Sequence, residues 1–264
     1  MIFHAQNGIA AGAEYICFGT GKKNLVMLPG LGDGLRTMKG TAIPMALYYR
    51  CLAKDYRVYM FSRKTVLTEG HSTRDMARDL KAAMEELCIE QASLVGVSMG
   101  GMIAQHFAAD YPEKVEKLVL VVTCARENPV LLESLEEWVD CARRSDHTAL
   151  MDSNVKRIYS EDYYRKNKWM IPITGKFTKP KSYGRFFCLA EACRGHNAWD
   201  SLPGISAPTL VIGGEQDRSL GGDASREIAS RIPGALLKMY PQWGHGLYEE
   251  AEDFLPTVME FLGE

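Results

Sequence analysis

Residues 93–105, Ser93-Leu94-Val95-Gly96-Val97-Ser98-Met99-Gly100-Gly101-Met102-Ile103-Ala104-Gln105, decide the reading of this chain. An apolar run suited to a buried strand meets a glycine-flanked serine and continues as an apolar helix. Gly96, Ser98 and Gly100 make the G-x-S-x-G pattern of a nucleophile elbow. In so tight a turn, a Cβ two positions either side of the serine would crowd the adjoining strand and helix, and glycine removes that conflict. The serine hydroxyl then projects from the end of the sheet. The N–H of Met99, at the start of the helix, is free to help hold an oxyanion.

Outward from the elbow, short apolar runs alternate with helical segments. Leu25–Leu28, Leu118–Val122 and Thr209–Ile212 are the strongest strands, and they suit a parallel sheet buried on both faces. Val58–Phe61, Ser93–Val97 and Leu236–Tyr240 are weaker. Ile2–Gln6 and Glu14–Phe18 alternate and resemble an opening hairpin. Helices are expected over Arg74–Leu87, capped by Ser72 or Thr73, and over Met99–Asp110, stopped by Tyr111-Pro112. Two more are expected over Asp223–Ile232 and Leu247–Leu262. Strand–helix alternation of this kind implies an α/β fold with helices on both faces of a mostly parallel sheet. The alternation stops between about Ala125 and Leu202, a stretch rich in aromatic and charged residues. There Leu131, Leu135, Trp138 and Ala142 share one helical face, so this segment reads as a helical cap over the sheet.

The chain has 264 residues, 46% hydrophobic and 24% charged, enough for a large core without staples. A net charge of −2 favours neither nucleic acid nor an anionic membrane as partner. The first residues show no basic segment leading into an apolar one, so no secretory signal is expected, and no run is long enough for a membrane span. The seven cysteines are odd in number and irregularly spaced, without C-x-x-C. That argues against a disulfide framework or a zinc site and for a reducing cytoplasm.

A serine nucleophile needs a base, and the base needs an orienting acid. Among six histidines, only His245 sits in a glycine-flanked turn, Trp243-Gly244-His245-Gly246, between a late strand and the last helix. His106, on the helix after the elbow, reads as a surface or satisfied core residue rather than the base. Asp217 follows the Thr209–Ile212 strand and reaches the same sheet end; Glu215 and Glu127 are its competitors. The loop Pro29-Gly30-Leu31-Gly32-Asp33-Gly34 follows another strand, and the Leu31 and Met99 N–H groups are the expected oxyanion donors. A phosphate loop fails on spacing, because G-x-G-x-x-G would need glycine at Leu35 and the Walker lysine is absent. Gly30, Trp138, Arg185 and Phe186 are expected in the substrate pocket, with Arg185 a candidate for binding a carboxylate.

Taken in order, the Pro29-Gly30-Leu31-Gly32 loop, Gly96-Val97-Ser98-Met99-Gly100-Gly101, Tyr111-Pro112-Glu113-Lys114-Val115, Ala207-Pro208-Thr209-Leu210-Val211-Ile212-Gly213 and Gly244-His245 resemble the α/β-hydrolase superfamily over almost the whole chain. The Ser-Met-Gly-Gly elbow is most similar to its capped serine esterase, enol-lactonase and carbon–carbon bond hydrolase branch. The resemblance implies a mostly parallel eight-stranded sheet with a helical cap after the sixth strand: core residues 1–124 and 203–264, cap residues 125–202. It also implies the order nucleophile, acid, histidine, which Ser98, Asp217 and His245 follow. Two departures stand out. Many relatives have His-Gly where this chain has Pro29-Gly30, and an Asp-Arg-Gly-x-Gly-x-Ser stretch where it has Phe61-Ser62-Arg63-Lys64-Thr65-Val66-Leu67.

These residues lead to an expectation of acyl transfer through Ser98, without metal or organic cofactor, on a small, partly apolar ester, thioester or lactone. The same machinery could act as a carbon–carbon bond hydrolase or lactonase on a ring-cleavage product. It could also serve as a lyase or a cofactor-free enzyme of oxygen chemistry. A receptor-like binding protein with little turnover is the reading from another class. A serine at the elbow disfavours the dehalogenase and epoxide hydrolase chemistry that resembling families perform with a carboxylate. A homodimer is compatible with the sequence, which leaves the pocket residues of the cap open.

Overall fold

A computed structural model describes residues 2–263; Met1 and Glu264, the ends of the expected core segments, lie outside the described residues. Eight strands form one sheet in the order β1-β2-β4-β3-β5-β6-β7-β8. They are β1 (Gln6–Ala10), β2 (Ala13–Phe18), β3 (Lys23–Leu28), β4 (Tyr56–Lys64), β5 (Ala92–Val97), β6 (Val115–Val121), β7 (Thr209–Gly214) and β8 (Leu236–Tyr240). β2 pairs antiparallel with β1 and with β4, and every other pairing is parallel. Side chains alternate along the central strands: Val26 and Leu28 enter one core cluster, Leu25 and Met27 the other. The first cluster is closed by α2 (Thr73–Glu86), α3 (Met99–Asp110) and α9 (Ala224–Arg231). The second is closed by α1 (Ala42–Tyr48) and α11 (Phe254–Gly263).

Between β6 and β7 the chain forms α4 (Pro129–Arg143), α5 (His147–Ile158), α6 (Glu161–Asn167), α7 (Ile171–Thr178) and α8 (Gly184–Arg194). Leu131, Leu135, Trp138, Phe186 and Leu189 of this segment are buried in the first cluster, which joins it to the sheet as one core. All seven cysteines are unpaired.

Two expected elements differ by more than a few end residues. The opening strand runs from Gln6 to Ala10 rather than from Ile2, and residues 2–4 form a 3-10 turn. Its register is set by Ala11-Gly12, both at positive φ (47° and 80°), which closes a two-residue hairpin that pairs Ala10 with Ala13. The last helix is split into α10 (Leu247–Glu250) and α11, with Ala251 extended (ψ 115°) between them. One continuous helix would bury Pro256 in its interior; the break moves it into the first turn of α11, where its missing N–H costs nothing.

Candidate active site

Ser98 follows the end of β5, which lies between β3 and β6, at φ 55°, ψ −120°. That strained backbone costs about 1–3 kcal/mol and is held from both sides. Ser98 N–H donates to the Val121 carbonyl (2.9 Å), and the Ser98 carbonyl accepts from Gly101 N–H and the Thr123 hydroxyl (both 2.8 Å). A Cβ on Gly96 would lie 2.6 Å from the Gly100 carbonyl oxygen, and one on Gly100 would lie 2.0 Å from that of Leu28. Both glycines are therefore demanded by the closeness of α3 to the strands.

The Pro29–Gly34 loop, whose residues 31–34 form a 3-10 turn, lies against the serine: a Cβ on Gly30 would be 3.4 Å from Ser98 Cβ. Leu31 and Met99 each open a helical turn, so neither N–H has an intrahelical partner. The loop is tied down from beneath. Asp33, its side chain wholly buried, accepts the Arg63 N–H (2.9 Å) and the Arg185 guanidinium (2.5 Å). Arg63 also donates to the Pro29 carbonyl, and Arg185 to the carbonyls of Asp33, Arg63 and Lys64. Burial lowers the Arg63 guanidinium below its ordinary range, although Asp33 beside it pulls the other way.

His245 and Asp217 are both buried, and His245 Nδ1 lies 2.8 Å from Asp217 Oδ2. The other carboxylate oxygen accepts N–H groups from Ser219 (2.7 Å) and Leu220 (2.9 Å), which orients the whole carboxylate. The competing acids are engaged or remote: Glu215 pairs with Arg226, and Glu127 is exposed. His106 is a core residue, buried against His196 with ring centroids 5.1 Å apart.

Ser98 and His245 line one cavity of about 320 Å³, together with Gly30, Leu31, Trp138, Tyr159 and Tyr248. Among the described residues the His245 ring bonds to Asp217 and no hydrogen bond joins it to Ser98. A second chamber of about 200 Å³, lined by Leu35, Leu150, Met151 and Phe186, adjoins the first. Arg185 lines neither cavity: its guanidinium is consumed by Asp33 and three backbone carbonyls, which corrects its expected place in the pocket. Residues missed from sequence include Arg36, Asn154, Tyr159 and Tyr248. Tyr248, three residues past His245, carried a positional signal; Asn154 carried none, since it reaches the cavity only through the packing of α5. Among the described residues no group of three or more His, Cys, Asp or Glu is arranged to hold a metal ion, and no helix is long and apolar enough to cross a membrane.

The family model described as alpha/beta hydrolase fold matches residues 23–252. This chain belongs to the alpha/beta hydrolase fold family. A Mycobacterium tuberculosis protein named as a non-heme bromoperoxidase, BpoC, is 29% identical over 254 residues, covering 92% of this chain and 95% of that one. The 2-hydroxy-6-oxononadienedioate/2-hydroxy-6-oxononatrienedioate hydrolase of Paraburkholderia xenovorans is 28% identical over 269 residues, covering 92% and 88%. The crystal structure of the enol-lactonase from Burkholderia xenovorans LB400 superposes with a TM-score of 0.80 at 24% identity, over 98% of this chain and 100% of that one. At that identity the match speaks for the fold alone. In this chain the Ser98 turn and the His245 turn meet at one cavity, and the Asp217 loop is joined to His245.

Proposed function

We propose that the protein is a serine hydrolase that cleaves a carboxylic ester, thioester or lactone of a small, partly apolar molecule through an acyl-enzyme. The observation that carries this reading is the buried His245, bonded to Asp217 and lining the same cavity as the strained Ser98. With Nδ1–H donating to Asp217, the His245 Nε2 lone pair is left to accept the Ser98 proton as Oγ attacks the carbonyl carbon. The Leu31 and Met99 N–H groups stabilise the oxyanion, worth roughly 2.7–4 kcal/mol per donor in kcat where one has been removed elsewhere. His245 returns the proton to the leaving group, then activates the water that releases the acid. Helices α4–α8 act as the cap, with Trp138 and Tyr159 roofing the serine. The unpaired cysteines fit a reducing cytoplasm.

Carbon–carbon bond hydrolysis is the second reading, favoured by the naming of the Paraburkholderia relative. Both readings require an activated serine, so labelling by a fluorophosphonate probe tests them first. Wild type is expected to label rapidly, Ser98→Ala not at all, and His245→Ala at least about a hundredfold more slowly, the scale of lost general-base catalysis. Absence of labelling in folded wild type would favour the binding-protein reading, and ester and dienoate panels separate the two hydrolytic ones.

A further inference from the structure

Leu31, Gly32, Arg36, Trp138 and Asn154 line both cavities and so form the neck between the serine chamber and the apolar chamber. The neck is rich in donors that the protein leaves unused. Arg36 and Asn154 make no side-chain hydrogen bond or ion pair among the described residues. Trp138 is 7% exposed, and its indole N–H is buried without a partner. Arg36 is exposed and Asn154 half-buried, with their polar heads open to solvent or ligand, while the buried indole N–H costs free energy unless something accepts from it. The neighbouring carboxylate does not: Asp33 lines the serine chamber, but its charge is held by Arg185 and faces the buried Arg63 as well. Arg36 is thus a solvent-exposed cation with no ion-pair partner among the described residues, at a junction it shares with Leu31, Gly32, Trp138 and Asn154.

We infer that this neck is a specificity site for a carboxylate carried by the substrate, with Arg36 as its charge partner and the Asn154 amide and Trp138 indole as further donors. A carboxylate is acceptor-only and matches the planar fork of a guanidinium, which keeps its charge at every working pH. The chemical class implied is an ester or lactone of a dicarboxylic or hydroxy acid, its apolar portion in the Leu150–Phe186 chamber. This deepens the serine hydrolase reading and rests on it for the substrate's reacting bond, though not for the anion.

Two arms test it. The first compares the para-nitrophenyl monoester of glutaric acid, and the acetyl ester of 4-hydroxy-3-nitrobenzoic acid, each carrying a free carboxylate, with neutral esters of equal length. Wild type is expected to prefer at least one charged ester. Its charged-to-neutral ratio of kcat/KM should fall about tenfold in Arg36→Gln, the scale of one lost charge-assisted hydrogen bond, with partial recovery in Arg36→Lys. Lys54→Gln, which removes the same charge from a remote exposed position, should leave the ratio unchanged. The second arm needs no turnover: glutarate binding to Ser98→Ala, read by calorimetry at low salt, should weaken about tenfold when Arg36→Gln is added. If wild type neither labels nor turns over any ester, the hydrolase reading fails and this second arm alone decides the subsite. A ratio indifferent to Arg36, or glutarate that fails to bind or binds equally without Arg36, overturns the inference.

Discussion

Asp33 is the residue that most constrains the loop beside Ser98. Its buried carboxylate receives the backbone of Arg63 and the side chain of Arg185, while those arginines hold the carbonyls of Pro29 and Asp33. Removing one member of a buried charge cluster leaves the others uncompensated, which typically costs about 3–5 kcal/mol. Asp33→Ala should lose stability on that scale in urea unfolding and should slow labelling of Ser98, because the Leu31 N–H is carried on the same loop. A loss below about 1 kcal/mol, the worth of an exposed ion pair, would show the cluster to be dispensable. Arg185 was visible in the sequence as a cation beside Phe186 and Phe187. Nothing local distinguished a substrate ligand from a structural tether, since its partners lie about 120 to 150 positions away.

At the scale of elements, the strand–turn–helix unit of β5 and α3 is set by close backbone approach. The Cβ of Gly100→Ala would stand 2.0 Å from the Leu28 carbonyl oxygen on β3, an atom held in the sheet. The helix must move away from the strand, so the variant should lose about 1–3 kcal/mol by overpacking, with Ser98 labelling reduced in the fraction that folds. Wild-type melting and labelling in Gly100→Ala would refute this account of the elbow. The same local grammar made α2 legible, where Ser72 and Asp75 form a reciprocal capping box. It failed where the decisive term was distant or competing. The alternation of Ile2–Gln6 suggested a strand, but the Ala11-Gly12 turn dictates which residues face β2. The apolar periodicity of Leu247–Leu262 is real, yet Pro256 outweighs it.

Across the whole molecule, the segment after β6 is bound to the histidine and acid loops. Gly246 N–H donates to the Ile158 carbonyl (2.6 Å), the Ser160 hydroxyl to Glu250 (2.6 Å), and Arg218 to the Tyr159 carbonyl (2.8 Å). Farther down, His196 lies on the return from this segment to β7, packs on His106 of α3, and contacts Thr73 of α2 through Nδ1 at 2.9 Å. Desolvation lowers His196 to about 3 and His106 to about 4, with Arg74 adding to the effect on His106. Both are neutral in the folded state while the unfolded chain protonates them near 6.5. The unfolded state therefore binds more protons in that window. The stability they confer is present above about pH 6.5 and is lost as pH falls towards 4. The unfolding free energy should fall with pH there, by up to about 1.4 kcal/mol per pH unit for each histidine. In a His106→Asn, His196→Gln variant the slope should shrink, whatever its stability at pH 8. An unchanged slope would assign the acid sensitivity to carboxylates instead.

What the sequence determined by itself follows from interactions between near neighbours in the chain. The elbow, the glycine loop, the histidine turn and the alternation of apolar strands with capped helices are each written within a dozen residues, because turn sterics, capping and side-chain periodicity act over that range. Their order along the chain was enough to anticipate the parallel sheet and to single out Ser98, Asp217 and His245. The tertiary structure alone decided how the carboxylate of Asp217 is oriented, that Arg185 anchors a loop rather than facing a substrate, and that Arg36, Asn154 and Trp138 meet at one neck. Those outcomes depend on which side chains from separate helices compete for the same buried acceptor or the same space. That competition is resolved only when the segment between β6 and β7 packs onto the sheet, and no periodicity in the sequence records it.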